Sequence, residues 1–91
     1  MNSLTLKNIT IKKLTDRNLN PYYLIVNNEN EEQVFFCFSQ SLKEGWEILN
    51  QNWEKTTKAE ITFQETRQNQ TDRIFRKVVS FWTPSEEEIF V

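Results

Sequence analysis

Apolar and polar side chains alternate along residues 4–14 (LTLKNITIKKL), and this two-residue period predicts a β-strand with one buried face. The apolar positions are even-numbered at Leu4 and Leu6 and odd-numbered at Ile9 and Ile11. Because successive side chains of a strand point to opposite faces, this change of phase predicts a β-bulge at Lys7–Asn8 that bends the strand. Residues 15–21 (TDRNLNP) are rich in Asp, Asn and Pro, and this composition predicts a turn.

Two apolar and aromatic segments, residues 22–26 (YYLIV) and 34–38 (VFFCF), predict a β-hairpin with a polar loop between its strands. A loop of three or five residues keeps two alternating sets of side chains on opposite faces, whereas a two-residue loop would mix them. We favour the first register because it groups the apolar side chains consistently. One set consists of Tyr22, Leu24, Val26, Val34, Phe36 and Phe38. The other set, on the face that we assign outward, consists of Tyr23, Ile25, Phe35 and Cys37, although Cys37 by itself is expected to be a small buried hydrophobe.

Residues 41–53 (SLKEGWEILNQNW) have helical spacing and predict one helix. Ser41 and Glu44 have the spacing of a capping box. The apolar stripe of this helix consists of Leu42, Trp46, Leu49 and Trp53. Gly45 would cost about 1 kcal/mol relative to Ala inside a helix. Its presence indicates either a close approach of the helix to a sheet or simple tolerance of a glycine.

Two further strands follow the predicted helix. Residues 58–66 (KAEITFQET) alternate cleanly between apolar and polar side chains. Their apolar face consists of Ala59, Ile61 and Phe63. Residues 73–82 (RIFRKVVSFW) predict a last strand with apolar side chains on both faces. The strict alternation of a strand places Arg76 and Trp82 on the same face.

The length of 91 residues predicts one domain, and seven Phe, three Trp and two Tyr supply large side chains for its core. Cys37 is the one cysteine, so no intrachain disulfide can form, and we expect a reducing, cytoplasmic location. The N-terminal residues lack the apolar run of a signal peptide, and no segment approaches the roughly 18 apolar residues of a membrane span. We therefore expect no membrane partner.

Several kinds of catalytic site are incompatible with this composition. The chain has no histidine, which is the usual general base and the commonest zinc ligand. Gly45 is the one glycine, so a glycine-rich phosphate loop cannot be built. No serine or lysine lies in a known nucleophile motif. We expect a protein that is not an enzyme and that uses no cofactor and no metal.

The net charge of −2 is unevenly distributed along the chain. Residues 1–28 hold four basic side chains and one acidic side chain, and residues 66–84 again hold four and one. Residues 29–65 hold three basic and eight acidic side chains, and residues 85–91 hold three acidic ones. The total argues against non-specific nucleic-acid binding, but the segregation leaves room for a local basic patch.

The order of the predicted elements, β-β-β-α-β-β, resembles the OB-fold, a five-stranded barrel with its helix between strands 3 and 4. The segment AEITFQETRQNQTDRIFRKVVSFWTP, residues 59–84, is similar to the closing hairpin of bacterial single-stranded-DNA-binding OB proteins. The resemblance implies a mainly β domain over residues 1–84, followed by an acidic tail at residues 85–91. An SH3-like barrel and an α+β sheet with one covering helix are the alternative folds.

The resemblance also implies where a ligand would lie. In an OB-fold, the loops that join strands 1–2 and 4–5 flank the ligand face. In this chain those loops are residues 15–21 and 66–73. The arginines of these loops and of the last strand are Arg17, Arg67, Arg73 and Arg76. Such cationic side chains can follow a phosphate backbone, and the alternative is a solvated polar loop.

Aromatic side chains on the faces assigned outward are the second candidate feature. They are Tyr23, Phe35 and Trp82. Stacking of a base on an aromatic ring contributes about 1–3 kcal/mol. The alternatives are a second core surface and an oligomer interface.

The C-terminal segment PSEEEIFV, residues 84–91, resembles the acidic, hydrophobic-tipped tail of bacterial single-stranded-DNA-binding proteins. In that family the tail docks onto partner proteins, which would make Ile89 and Phe90 the docking residues. The alternative is a terminal segment that packs on the domain.

These features together predict non-catalytic binding of single-stranded DNA or RNA by a small β-barrel. A protein-interaction module, monomeric or homodimeric, is the main alternative, and the acidic middle segment favours it. A barrel that binds a small ligand is a further alternative.

Overall fold

A computed structural model describes residues 2–67 and 73–83 of the chain. Within these ranges the protein is mainly β, as predicted, with six strands and one helix. The elements are β1 (Asn2–Leu6), β2 (Ile9–Thr15), β3 (Pro21–Asn27), β4 (Val34–Phe38), α1 (Trp46–Asn52), β5 (Ala59–Arg67) and β6 (Ile74–Trp82).

The six strands form one mixed sheet in the order β1-β5-β6-β4-β3-β2. Four of the neighbouring pairs are antiparallel, and β4 and β6 are parallel. The segment that contains α1 connects β4 to β5, as expected for a helix between the third and fourth predicted strands.

The predicted five-stranded closed barrel differs from this sheet. The first predicted strand is bent at Lys7–Asn8, as its pattern indicates, but the bend divides it into β1 and β2. These two strands pair with different neighbours, β5 and β3, and the amide of Ile9 donates to the carbonyl oxygen of Thr57 at 2.9 Å. In the described residues β1 and β2 end the sheet order without pairing with each other, so the sheet is not closed into a barrel.

The hairpin of β3 and β4 has the predicted kind of register. Val26 pairs with Val34, and the amide of Asn27 donates to the carbonyl oxygen of Gln33 at 3.2 Å, which leaves a five-residue loop at 28–32. The two alternating sets of side chains therefore lie on opposite faces, as predicted.

The assignment of those faces was wrong. The set expected outward forms the centre of the core, because Tyr23, Ile25, Phe35 and Cys37 are fully buried. The physical reason lies in β2, whose apolar residue Ile11 pairs with Ile25 while Lys12 pairs with Leu24. The amphipathic strand β2 must bury its isoleucines, so its register decides which face of β3 and β4 is inside. We call the buried side of the sheet the inner face and the opposite side the outer face.

The helix is shorter than predicted. It begins at Trp46 with Gly45 at the N-cap, and the predicted capping box at Ser41 and Glu44 is not formed. The backbone of Glu44 instead meets β6, where the amide of Phe81 donates to its carbonyl oxygen at 2.9 Å. The four apolar side chains of the predicted stripe do contact the core, but only Trp46 and Leu49 belong to the helix, because Leu42 precedes it and Trp53 is its C-cap. Leu42 and Leu49 are buried, and Trp46 and Trp53 pack against the core.

Gly45 confirms the close-approach interpretation. Its φ is +100°, a conformation that glycine adopts without strain, and a β-carbon there would collide with the carbonyl oxygen of Phe81. The glycine thus lets the start of the helix segment touch β6.

The strands β5 and β6 contain an irregularity that strict alternation did not predict. Thr62 pairs with Ser80 but Phe63 pairs with Val78, so Val79 is an extra residue in β6. After such an extra residue, the positions that point to one face of the strand change from even-numbered to odd-numbered. Phe81 and Val78 are consequently both buried.

Candidate functional site

Four aromatic side chains form a continuous cluster on the outer face of β3, β4 and β6. We call this cluster, Tyr22, Phe36, Phe38 and Phe75, the outer aromatic face. The ring centroids of Phe36 and Phe75 are 5.0 Å apart and stacked, and those of Tyr22 and Phe38 are 5.5 Å apart. Phe36 and Phe38 lie nearly parallel at 6.1 Å. All four side chains are partly exposed to solvent.

The register of the sheet places lysines on both sides of these rings. One row across the outer face runs from Lys12 through Leu24 and Phe36 to Lys77. Adjacent strands are about 4.8 Å apart, so the Cα atoms of the two lysines are separated by roughly 14 Å. The central strands β3 and β4 contain no acidic residue. Two lysines therefore flank the row that contains Phe36, although the chain as a whole is acidic.

A groove of about 470 Å³ with a mixed polar and apolar lining extends from Lys77 across β6 and β5. It is lined by Gln40, Ser41, Lys43, Glu44, Gln64, Lys77 and Val79. Its ammonium, amide and hydroxyl groups can donate hydrogen bonds to phosphate or base oxygens, whereas the carboxylate of Glu44 can only accept and repels a phosphate. The groove thus offers polar contacts beside the aromatic rings.

The turn between β2 and β3 lies next to Tyr22, at one end of the strands that carry the outer aromatic face. The carboxylate of Asp16 accepts hydrogen bonds from the amides of Asn18 and Asn20 at 2.8 and 2.9 Å. Arg17 is exposed in this turn. Leu14 lies two positions before the turn at 16–20, and its partner Tyr22 lies two positions after it. Arg17 therefore lies in the predicted loop, and its contact with a ligand stays a prediction.

Two of the predicted stacking residues, Tyr23 and Phe35, are wrong as ligand contacts. Both are 0% exposed. The hydroxyl of Tyr23 donates to the side-chain oxygen of Asn50, and its ring packs on Trp46 with centroids 5.3 Å apart. Burial raises the pKa of Tyr23 above its usual value. Phe35 packs edge-on against Phe63 at 5.0 Å.

Arg76 does not share a face with Trp82, and that part of the prediction was also wrong. The extra residue in β6 turns Arg76 to the inner face, where its guanidinium lies 5.9 Å from the centroid of the Phe35 ring. Its Nε is 3.4 Å from Oε1 of Glu65, and its side chain is 16% exposed. These contacts give Arg76 a structural role at the end of the core.

The remaining predicted arginines lie at one end of β5 and β6. Arg67 and Arg73 are exposed at the two sides of the segment 68–72, which lies outside the described residues. Ile89 and Phe90 of the C-terminal segment also lie outside the described residues.

Trp82 is 44% exposed and lies opposite Glu60 on β5. It borders a second surface groove of about 380 Å³ over β1, β5 and β6. The lining residues are Ser3, Leu4, Thr5, Glu60, Ile61, Thr62, Ser80 and Trp82. Four of these lining residues carry hydroxyl groups, and none is basic. This groove therefore differs from the outer aromatic face, which has Lys12 and Lys77 on its two sides.

The four rings of the outer aromatic face were not predicted as a site. Both faces of β3 and β4 are apolar, so alternation alone does not say which one is exposed. The signal that could have found them is the turn at 16–20. When Thr15 pairs with Pro21 across this turn, Lys12 pairs with Leu24. Paired residues lie on the same face of a sheet, so the charged Lys12 indicates that the face of Leu24 is the exposed one.

No group of three or more His, Cys, Asp or Glu side chains in residues 2–67 and 73–83 is arranged to hold a metal ion. Within the same ranges, no helix is both long and apolar enough to cross a membrane.

No family model matches this chain, and neither a curated protein nor a solved structure matches it.

Proposed function

We propose that this protein binds single-stranded nucleic acid on its outer aromatic face, without catalysis. The observation that carries the proposal is the row of Phe36 and Leu24 between Lys12 and Lys77, within a cluster of four partly exposed rings. Aromatic rings stack on unpaired bases at about 1–3 kcal/mol each, and lysines contact the phosphates between those bases. Duplex nucleic acid hides its base faces, so the rings favour a single strand.

The pairing of the strands supports an OB-like connectivity. We infer that β1 and β2 are two halves of one bent strand, because two residues join them and they pair with β5 and β3 respectively. Counted in this way, five strands remain, and the third and fifth are parallel. The ligand face of an OB-fold is formed by its second and third strands. These correspond to β3 and β4, which carry three of the four rings.

The charge pattern predicts a small electrostatic contribution. Lys12, Lys77 and Arg17 are the cations placed on or beside the outer aromatic face. Each phosphate contact with a single strand changes the slope of log affinity against log salt by about −0.7, so three contacts give a slope of about −2. Most of the affinity should then come from stacking.

Fluorescence anisotropy of a labelled oligo-dT tests this proposal. The probe should have roughly 15 nucleotides, because one OB domain occupies about 4–16, and the salt should be varied from roughly 20 to 200 mM. Phe36→Leu keeps an apolar side chain but removes the ring, so we expect affinity to fall by about 1–3 kcal/mol with an unchanged salt slope. Ile48→Ala, an exposed apolar residue of α1, is the matched control and should bind as the wild type does.

A protein-interaction module is the second candidate function. Partly exposed aromatic residues are also the usual anchors of protein interfaces, and the net charge of −2 does not favour polyanions. Absence of oligo-dT binding at low salt would favour this alternative. Sedimentation velocity would then show whether the wild type self-associates and whether Phe36→Leu reduces that association.

A further inference from the structure

The turn between β2 and β3 presents an exposed leucine in a left-handed backbone conformation. Leu19 has a φ of +64° and is 81% exposed. Glycine and asparagine adopt this conformation readily, whereas a bulky residue such as leucine is strained in it. The backbone conformation of the turn at Leu19 is therefore one that a leucine side chain disfavours.

Other groups hold the turn in place. Asp16 closes it with its carboxylate and through backbone hydrogen bonds to Leu19 and Asn20, at 3.1 and 3.0 Å. The bond from Leu19 uses its amide, which every residue type except proline has. The leucine side chain itself is neither buried nor needed for these contacts, so the fold gives no reason for its presence.

The position of Leu19 connects it to the proposed ligand surface. Leu19 lies three positions before Tyr22 in the sequence, so the two Cα atoms are at most about 11 Å apart. Leu14, which pairs with Tyr22 on the outer face, is also exposed. Arg17 lies exposed in the same turn. An exposed apolar side chain and an exposed cation therefore belong to the turn that joins the strand of Tyr22 to β2.

We propose that Leu19 packs against a base of the bound strand at this turn, while Arg17 contacts an adjacent phosphate. This inference rests on the proposed function. Leucine and other apolar side chains are used as wedges against or between bases in nucleic-acid-binding proteins. The hydrogen-bonded turn fixes the position of the wedge in advance, which reduces the ordering cost of binding.

The experiment compares Leu19→Asn, Leu19→Met and the wild type by oligo-dT anisotropy and thermal unfolding. Leu19→Asn relieves the backbone strain, so its melting temperature should equal or exceed that of the wild type. Its affinity should nevertheless fall about tenfold, the effect of one lost buried leucine contact. Leu19→Met preserves the volume and should bind within about twofold of the wild type. Ile48→Ala serves as the control for loss of an exposed apolar side chain.

The outcomes separate this inference from the function on which it rests. A wild type that binds oligo-dT and a Leu19→Asn variant that binds equally well would overturn the role of Leu19 and leave the proposed function intact. A lower melting temperature of Leu19→Asn would show that Leu19 serves the fold, which also overturns it. A wild type that does not bind would remove both.

Discussion

Cys37 shows how burial at a single residue becomes a pH dependence of stability. Its side chain is fully buried on β4, and desolvation raises the pKa of the thiol. An unfolded thiol has a pKa of about 8.5, so above that pH the unfolded chain loses a proton that the folded chain keeps. The contribution of this thiol to the free energy of unfolding is therefore fully present below about pH 8.5 and is lost as the pH rises.

We expect the free energy of unfolding to decrease by about 1.4 kcal/mol per pH unit above pH 8.5 through this one group. Urea unfolding under reducing conditions at a series of pH values between about 7.5 and 9.5 measures this slope. Cys37→Ala should be less stable at pH 7.5 because of the cavity, but its stability should depend less on pH. Equal slopes in the two proteins would show that the Cys37 thiol is not the cause of the pH dependence. Tyr23, whose pKa is also raised, contributes in the same direction only above about pH 10.

Individual side-chain environments were harder to predict from the sequence than the strands that carry them. Tyr22 and Tyr23 are adjacent and chemically identical, yet one is partly exposed on the outer face and the other is fully buried. Their positions depend on how β2 pairs with β3, which is information from outside their own strand. The same holds for Arg76, whose face is reversed by the extra residue Val79 in β6.

Periodicity predicted the elements themselves well, because each one has a clear apolar pattern. The two hairpin strands, the last two strands and the apolar stripe of the helix agree with the structure. The start of the helix was predicted too early, since the capping-box spacing of Ser41 and Glu44 is local whereas the contact of Glu44 with Phe81 comes from the distant strand β6. The division of the first strand likewise depends on its two different partners, β5 and β3.

The docking of α1 gives a test of the packing between elements. Leu49 is 0% exposed whereas its neighbour Ile48 is 39% exposed, because consecutive residues of a helix point in directions about 100° apart. Leu49→Ala should reduce the free energy of unfolding by roughly 2–5 kcal/mol through loss of apolar burial and cavity formation. Ile48→Ala should change it by less than about 0.5 kcal/mol, as surface substitutions do. Chemical denaturation measures both, and similar effects in the two variants would show that the helix does not pack on the core in this orientation.

The molecule as a whole keeps acidic residues out of the two strands that carry most of the exposed rings. Eight of its thirteen acidic residues lie between residues 29 and 65, outside strands β3 and β4. The outer aromatic face instead lies between Lys12 and Lys77, with Arg17 at one end. Under the proposed function, the polyanion binds on this surface in spite of the net negative charge of the chain.

The location of binding is the most direct test of this account. Amide chemical shifts of the 15N-labelled wild type should be followed by NMR while unlabelled oligo-dT is added at low salt. The account predicts the largest shifts along β3 and β4, with further shifts at Phe75, Lys77 and the turn at 16–20, and small shifts along α1. Shifts that centre on α1 or on the groove beside Trp82, or no shifts at all, would contradict the claim that the outer aromatic face binds single-stranded nucleic acid.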